Sequence, residues 1–195
     1  MKSLIILVIS LLTLSGSSAW AVSSQSVSSQ TAPGERKVKV KGGKAMERDK
    51  SKPVRKEIEE WYARNIAAFQ AKDVAAIMSL RTDDFHTVSP DGKVNTRADM
   101  EAYTKRLLDR IDRFVSQEFQ IGIIDVQGDF ATAEVTQKTV RMQRLPDGSL
   151  HKVDARAVQR EGWKRTTQGW KLYTVDNVRD AGIFVDDKPY KPPSP

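Results

Sequence analysis

Hydrophobic residues from Pro53 onward recur every three or four positions, the spacing of one face of an amphipathic helix. Pro53 suits the first turn of such a helix, because a residue in that turn needs no backbone donor. The pattern therefore predicts a helix that begins at Pro53 and turns this face toward a core: Ile58, Trp61, Tyr62, Asn65, Ile66 and Phe69.

Two shorter helices are indicated by their first residues. Asp73 is a suitable N-cap for the segment VAAIMSL, and Thr96 with Asp99 resembles a capping box that opens a third helix. Between these helices, residues 85–88 predict a short strand and residues 90–92 (Pro-Asp-Gly) a turn. The third helix also has an apolar side: Met100, Tyr103, Leu107, Leu108 and Ile111.

After Phe114 the pattern changes to long alternating runs of apolar and polar residues. These runs predict four strands, joined by short turn sequences of the hairpin type: residues 115–127, 130–144, 151–166 and 170–180. Helices followed by hairpin-linked strands predict an α+β domain, with the helices packed on one face of an antiparallel sheet.

The order of these elements resembles the nuclear transport factor 2-like superfamily, in particular its SnoaL-like bacterial branch, over residues 55–180. The resemblance rests on WYARNIAAFQAKDVAAIMSL, DDFHTVSPDGKV, VQGDFATAEVTQ and REGWKRTTQGWKLYTVDNV. It implies a strongly curved sheet wrapped around three helices, a cone-shaped cavity open at one end, and often a homodimer. It implies no particular reaction, since this fold hosts isomerases, hydrolases, cyclases and binding domains.

The N-terminal segment has the features of a secretory signal peptide. Met1-Lys2 is a short basic start, residues 4–14 are apolar, and Ala19-Trp20-Ala21 is a small-x-small cleavage site. We therefore expect cleavage after Ala21 and export to the periplasm or the medium. The sequence contains no cysteine, so neither a lipid-attachment thiol nor a disulfide framework is expected.

Residues 22–52 form a Ser/Gln-rich and then basic segment, for which the composition predicts a disordered tether. Residues 22–56 carry ten Lys or Arg against three Asp or Glu, so the high isoelectric point belongs to this arm. The arm is a spacer or a cationic contact for anionic envelope polymer or lipid. Nucleic acid is disfavoured, because the arm has no aromatic residue to stack on bases. The domain is expected over residues 53–184, and residues 185–195 form a Pro-rich tail.

Asp176 raises the main question about chemistry. Strand parity puts Trp170, Leu172, Thr174 and Asp176 on one face, so Thr174 and Asp176 are predicted near the mouth of the cavity. There Asp176 is a candidate general base or ligand acceptor. The structural alternative is a carboxylate that caps a turn or pairs with an arginine. Relatives often have histidine at the position of Asp176, so a histidine mechanism is not implied for this chain.

Three further residues are candidate ligand contacts or catalytic groups. His86 lies in the first short strand, where it is either a wall histidine or a catalyst. Tyr62 and Tyr103 lie on apolar helix faces, and a hydroxyl of either could orient a ligand. His86 and His151 do not have the spacing of metal ligands, so no metal site is predicted. No nucleotide-binding motif is present, so no cofactor is expected.

These observations leave two functions open. The first is a non-catalytic domain that binds a small apolar molecule or a protein partner and dimerises. The second is a cofactor-independent isomerase, hydrolase or cyclase that uses Asp176 with His86 or Tyr103. Binding is favoured, because the sequence contains separate titratable residues but no reactive constellation.

Overall fold

A computed structural model describes residues 44–190 of the 195-residue chain, with side chains described from Ser51 onward. The predicted signal peptide, most of the predicted tether and the last five residues lie outside the described residues. No helix in the described part of the chain is long and apolar enough to cross a membrane.

Three helices precede most of a single curved sheet. The helices are α1 (Lys44–Gln70), α2 (Val74–Ser79) and α3 (Arg97–Arg110). The strands are β1 (Arg81–Val88), β2 (Val94–Thr96), β3 (Ile111–Gln127), β4 (Phe130–Arg144), β5 (Leu150–Thr166), β6 (Gly169–Val185) and β7 (Lys188–Pro189). The strand order is β2-β1-β6-β5-β4-β3, and β7 pairs with β6. All pairs are antiparallel except β1 with β6, which is parallel. The predicted α+β class is confirmed.

Helix α1 begins at Lys44, nine residues before the predicted start at Pro53. The early part of the helix covers residues 44–52, which were assigned to the disordered tether. Alanine, methionine, glutamate, arginine and lysine in this segment all have high helix propensity, which offsets the loss of one backbone donor at Pro53. Residues 44–52 therefore belong to α1, and the tether predicted for residues 22–43 lies outside the described residues.

The predicted starts of the other two helices are confirmed. Asp73 Oδ1 accepts a hydrogen bond of 2.9 Å from the Ala76 amide at the start of α2. At the start of α3, the Thr96 amide donates to Asp99 Oδ2 at 2.9 Å, and the Asp99 amide donates to Thr96 Oγ1 at 3.3 Å. This reciprocal pair satisfies two backbone donors that the helix itself leaves free.

The core lies between α1 and the inner face of the sheet. Trp61 of α1 and Trp163 of β5 meet edge to face with ring centroids 4.8 Å apart, and both indoles are buried. The Trp61 indole also donates to the Leu80 carbonyl at 2.7 Å. Trp170 of β6 is buried as well, so both tryptophans of the last two long strands lie in the core.

Strand β6 has three irregularities in its pairing with β5. Trp163 pairs with Leu172 but Gly162 pairs with Thr174, so Tyr173 is an extra residue in β6. Further shifts accompany Asn177 and Asp180, whose φ angles are +48° and +50°. Each bulge bends the strand and increases its twist, and together they curve the sheet around the helices.

The C-terminal end of the domain extends slightly beyond the predicted boundary. Strand β6 continues to Val185, and Lys188–Pro189 turns back to pair with Phe184 and Val185. His151 Nδ1 lies 2.6 Å from Asp186 Oδ2, which ties this end of the chain to β5. The first residues of the predicted Pro-rich tail therefore belong to the sheet.

The bulge at Tyr173 generates a prediction for Gly162. A Cβ at this glycine would lie 2.6 Å from Thr174 Cγ2, so Gly162→Ala should destabilise the domain by about 1–3 kcal/mol through overpacking. Urea unfolding should show a smaller loss when the same change is made in a Thr174→Ala background. Additive effects of the two substitutions would contradict this register of β5 and β6.

Candidate functional site

The inner face of the sheet becomes polar beyond its apolar core. On β4, Ala131, Ala133 and Val135 are followed on the same face by Gln137, Thr139 and Arg141, all of which are buried. On the neighbouring strand β5, Gln159 and Glu161 are also buried on this face. We call the space between this face and helices α1 and α3 the interior.

A chain of hydrogen bonds crosses the interior from α1 to β4. The Tyr62 hydroxyl donates to Glu161 Oε2 at 2.5 Å, and Gln159 Nε2 donates to Glu161 Oε1 at 2.7 Å. Gln137 Nε2 in turn donates to Gln159 Oε1 at 2.7 Å. Each hydrogen bond restricts the two side chains that it joins, so the Glu161 carboxylate is held in one position.

Burial raises the pKa values of two residues in this hydrogen-bond network, Glu161 and Tyr62. Desolvation raises the pKa of Glu161, against the opposing effects of the Tyr62 and Gln159 hydrogen bonds and the Arg81 charge. Burial and then the Glu161 charge raise the pKa of Tyr62 well above its ordinary value. Glu161 is therefore the carboxyl group in the interior that most resists losing its proton.

Arg81 is the positively charged residue that acts to lower the pKa of Glu161. Its guanidinium is buried, donates to the Ile77 carbonyl, and lies 5.4 Å from the centre of the Phe85 ring. Burial lowers the pKa of Arg81 to about 10, while the Glu161 charge acts in the opposite direction. Arg81 thus stabilises the Glu161 carboxylate through its charge.

A second buried arginine, Arg141, is the last of the buried polar side chains on β4. Arg141 is 8% exposed, and its Nε donates to Gln143 Oε1 at 2.6 Å. Burial lowers the pKa of Arg141, and the Tyr103 hydroxyl of α3 is the one charge partner that raises it. Desolvation raises the pKa of Tyr103 to about 12. Arg141 and Tyr103 therefore lie close enough for each to affect the pKa of the other.

Several polar atoms in the interior have no hydrogen-bond partner among the described residues. They are Asn65 Oδ1 on α1, both amide atoms of Gln117 on β3, and Thr139 Oγ1 on β4. Gln117 and Thr139 are directly opposite each other in the β3–β4 pairing. Almost all buried polar groups in proteins are paired, so these unpaired atoms are unusual.

The structure places two of the predicted ligand contacts in the interior. Tyr62 and Tyr103 both turn inward from their helices, Tyr62 toward Glu161 and Tyr103 toward Arg141. The Tyr62 ring also packs on Phe119 of β3, with ring centroids 4.4 Å apart. Their predicted position on apolar helix faces is confirmed, and their role as ligand contacts stays a prediction.

The predicted position of Asp176 and Thr174 on the inner face is wrong. The extra residue at Tyr173 reverses the parity of β6, so Val175 is buried in place of Thr174. Asp176 instead accepts two hydrogen bonds from Arg160, at 2.6 and 2.8 Å, on the outer face of the sheet. The arginine pairing that the sequence left open as the structural alternative is therefore the one observed.

His86 also lies on the outer face, opposite the buried side chains of Phe85 and Thr87. Its Nδ1 lies 3.1 Å from the Asp84 carbonyl oxygen, and its ring meets Tyr173 edge to face at 5.3 Å. His86 and Asp176 therefore cannot act together with Tyr103 on one ligand in the interior. The predicted combination of Asp176 with Tyr103 is therefore not formed, and Asp176 and His86 share the outer face of the sheet, away from the interior.

Two clefts lie at the edges of the domain. One, of about 410 Å³, lies between α1 and the β5–β6 turn and is lined by Glu57, Glu60, Arg64 and Trp170 among others. The other, of about 460 Å³, lies between β1 and the start of α3 and includes His86, Arg97 and Glu101. Within residues 51–190, no group of three or more histidine or acidic side chains is arranged to hold a metal ion.

The sequence reasoning missed Glu161, Gln159, Gln137 and Arg141 as site residues. A signal was present for two of them in the sequence, because strand parity puts Gln159 and Glu161 on the same face of β5 as Ala155, Ala157 and Trp163. A carboxylate at such a position needs a buried donor, which Tyr62 supplies from α1. That pairing joins residues 99 positions apart and is not visible in a local pattern.

The chain belongs to the SnoaL-like domain family, whose pattern matches residues 58–178, and it has the NTF2-like fold. It is similar to a conserved protein from Planctomyces limnophilus (18% identity, TM-score 0.53, covering 65% of this chain and 96% of that one). It is also similar to the Kfla4162 protein from Kribbella flavida (16% identity, TM-score 0.55, covering 67% and 94%). A third similar structure is a proposed dehydratase of the NTF2-like family from Streptomyces avermitilis (18% identity, TM-score 0.50, covering 64% and 94%). Among curated proteins, none matches this sequence.

The raised pKa of Glu161 generates a prediction about pH. Because the folded state holds this proton more tightly than the unfolded chain does, the contribution of Glu161 to stability is greatest below its ordinary pKa of 4.5. Relative to Glu161→Gln, the free energy of unfolding of the wild type should fall as the pH rises from 4.5 toward the raised pKa. Tyr62→Phe removes a donor to the carboxylate and should move this fall to higher pH.

Denaturant unfolding of the three proteins across this pH range provides the measurement. A difference between wild type and Glu161→Gln that does not change with pH would show that the carboxyl group is not buried as described.

Proposed function

We propose that this chain is an exported SnoaL-like domain that binds a small molecule in its interior. The observation that carries the proposal is the set of buried polar atoms without partners on α1, β3 and β4: Asn65 Oδ1, the Gln117 amide and Thr139 Oγ1. The predicted signal peptide supports export, and membership of a family of cavity-bearing domains supports an interior site.

Buried polar atoms without partners lower the free energy of unfolding of the protein when no ligand is bound. A buried polar group without a partner destabilises a fold by about 1–3 kcal/mol. Thr139 could be replaced by valine, which has the same shape and no hydroxyl, so packing does not require the polar atom. A hydroxyl retained at this cost is explained by a partner that arrives from outside.

The surroundings of these atoms indicate the kind of ligand. Aromatic rings from two elements, α1 and β3, border the interior, with Tyr62 against Phe119 and Phe69 against Phe114 at centroid distances of 4.4 and 6.1 Å. A few polar groups within apolar walls are typical of sites for small organic molecules. We therefore infer a ligand with an apolar body and a small number of polar groups.

A second candidate function, proton transfer without a cofactor, is favoured by Glu161. A carboxylate that is buried, held by two donors and raised in pKa has the properties of a general base. On this alternative, Glu161 replaces Asp176 as the base, and Gln137 or Tyr62 orients the substrate. Binding is the first step of either function, so it is the function proposed here.

The proposal extends to the parts of the chain outside the domain. The basic arm would hold the exported domain near anionic polymer or lipid headgroups of the envelope, because its positive charges are concentrated before residue 57. Dimerisation through the sheet, which is frequent for this fold, would leave the interior of each copy free.

Thr139→Val tests the binding proposal directly. The variant should be as stable as the wild type or more stable by up to about 1 kcal/mol, because it removes an unpaired hydroxyl. Small molecules that raise the melting temperature of the wild type should bind this variant more weakly. The matched control is Thr136→Val on the exposed face of the same strand, which should change neither property.

The measurement is a thermal-shift screen of small organic molecules followed by calorimetric titration of each hit. Failure of every compound to stabilise the wild type, or hits with equal affinity for wild type and Thr139→Val, would count against an interior site. For the second candidate function, hits are incubated in D₂O and analysed by mass spectrometry. Deuterium uptake that is lost in Glu161→Gln would establish proton transfer.

A further inference from the structure

We propose that the ligand of the interior carries a carboxylate group and that Arg141 binds it, with Thr139 and Gln117 as neighbouring contacts. This inference rests on the proposed binding function and adds the chemical class of the ligand. It is carried by the position of Arg141, by the partners that this residue has, and by the groups around it.

Arg141 is buried in the sheet without an acidic partner among the described residues, whereas two exposed arginines of the sheet each have one. On the outer face, Arg160 pairs with Asp176 at 2.6 Å and Arg179 pairs with Glu134 at 2.5 Å. Arg141 is more buried than either, yet its recorded side-chain bond goes to the neutral Gln143 amide. Within residues 51–190, no carboxylate lies within ion-pair distance of its guanidinium.

Burying a guanidinium without a counter-ion destabilises the folded protein, and a bound anion would offset this effect. Five N–H groups project from a guanidinium, and the contact with Gln143 uses the one on Nε. The remaining donors form a planar fork that matches the two oxygens of a carboxylate. A bound carboxylate would supply an opposite charge and acceptors for these remaining donors.

The groups next to Arg141 are suited to the same ligand. Thr139 precedes it by two residues on the same inner face of β4, and Gln117 lies directly across from Thr139 on β3. The Thr139 hydroxyl and the Gln117 amide are buried and have no partner in the described chain. Both can donate to a carboxylate, and the Gln117 Oε1 atom remains as an acceptor for a polar group elsewhere on the ligand.

The charge around the interior favours anions at this end. The pKa of Tyr103 is raised mainly by burial, but Arg141, Arg106 and Arg110 all act to lower it. Arg106 and Arg110 lie one and two turns after Tyr103 on α3, so all three of these positive charges act near this tyrosine. Arg106 and Arg110 are exposed on α3, where they can draw an anionic molecule toward the buried Arg141.

The apolar surroundings favour an organic carboxylate over a phosphate. Leu107 is buried on the same helix as Tyr103, and Phe114 is half-buried at the start of β3. A phosphate dianion would need more than one buried cation to offset its desolvation, whereas Arg141 is the buried cation at this end of the interior, since the other buried arginine, Arg81, acts on Glu161. A carboxylate on an apolar body matches one cation within apolar walls.

The experiment uses matched pairs of acids and neutral amides with the full mature chain. The probes are phenylacetate and decanoate, with phenylacetamide and decanamide as their neutral counterparts, and the readout is the Kd from calorimetric titration. We expect at least one acid to bind the wild type about tenfold or more tightly than its amide, as a charge-assisted hydrogen bond provides. Arg141→Met should remove this preference, and Arg141→Lys should restore part of it.

The control is Arg144→Met, an exposed arginine three residues further along the same strand, which should leave the preference unchanged. Arg141→Met should also have a melting temperature equal to or above that of the wild type, since it removes a buried charge without a counter-ion. Equal binding of acids and amides, acid binding that survives Arg141→Met, or no binding of either acid would overturn the inference. Neutral hits in the broader screen would then leave the proposed binding function intact, whereas a screen without any hit would end both.

Discussion

The hydrogen bond from the Tyr62 hydroxyl to Glu161 connects helix α1 to the middle of the sheet, and the arrangement of the interior depends on it. Glu161 is buried between apolar neighbours, so its carboxylate is tolerated only because Tyr62 and Gln159 donate to it and Arg81 contributes opposite charge. For the Tyr62 hydroxyl to reach Glu161, α1 must cross β5 at one position along the helix axis and with one rotation about that axis. The bond therefore fixes the width of the interior at its deep end, where Trp61 and Trp163 fill the remaining space.

The curvature of the sheet decides which other side chains face this interior. The bulge at Tyr173 turns Asp176 to the outer face, and the bulge at Asn177 brings Val178 back to the inner one. Asparagine and aspartate accept positive φ angles with less strain than other non-glycine residues, which suits them to these positions. Strand β6 can thus follow the curve while its pairing with β5 continues on both sides of each bulge.

Much of the fold could be predicted from the sequence, whereas most of the candidate site could not. The caps at Asp73 and Thr96, the hairpin turns and the alternation in β4 and β5 are local signals, and the structure confirms them. Asp176 was misplaced because one inserted residue reverses strand parity without changing the alternation on either side. Glu161 was missed because the donor that makes its burial acceptable comes from a distant helix.

Glu161 and Arg141 lie at opposite ends of the row of buried polar side chains, so the two ends of the interior differ chemically. Glu161 has its own donors and a nearby cation, so it is satisfied within the free protein. Arg141 lies at the other end, and the neutral side chains of Gln159, Gln137 and Thr139 lie between the two. If Glu161 and Arg141 were in contact, they would neutralise each other and leave nothing for a ligand to complete. Their separation by neutral groups preserves an unpaired cation at one end only, so a molecule with a carboxylate at one terminus would enter the interior in a single orientation.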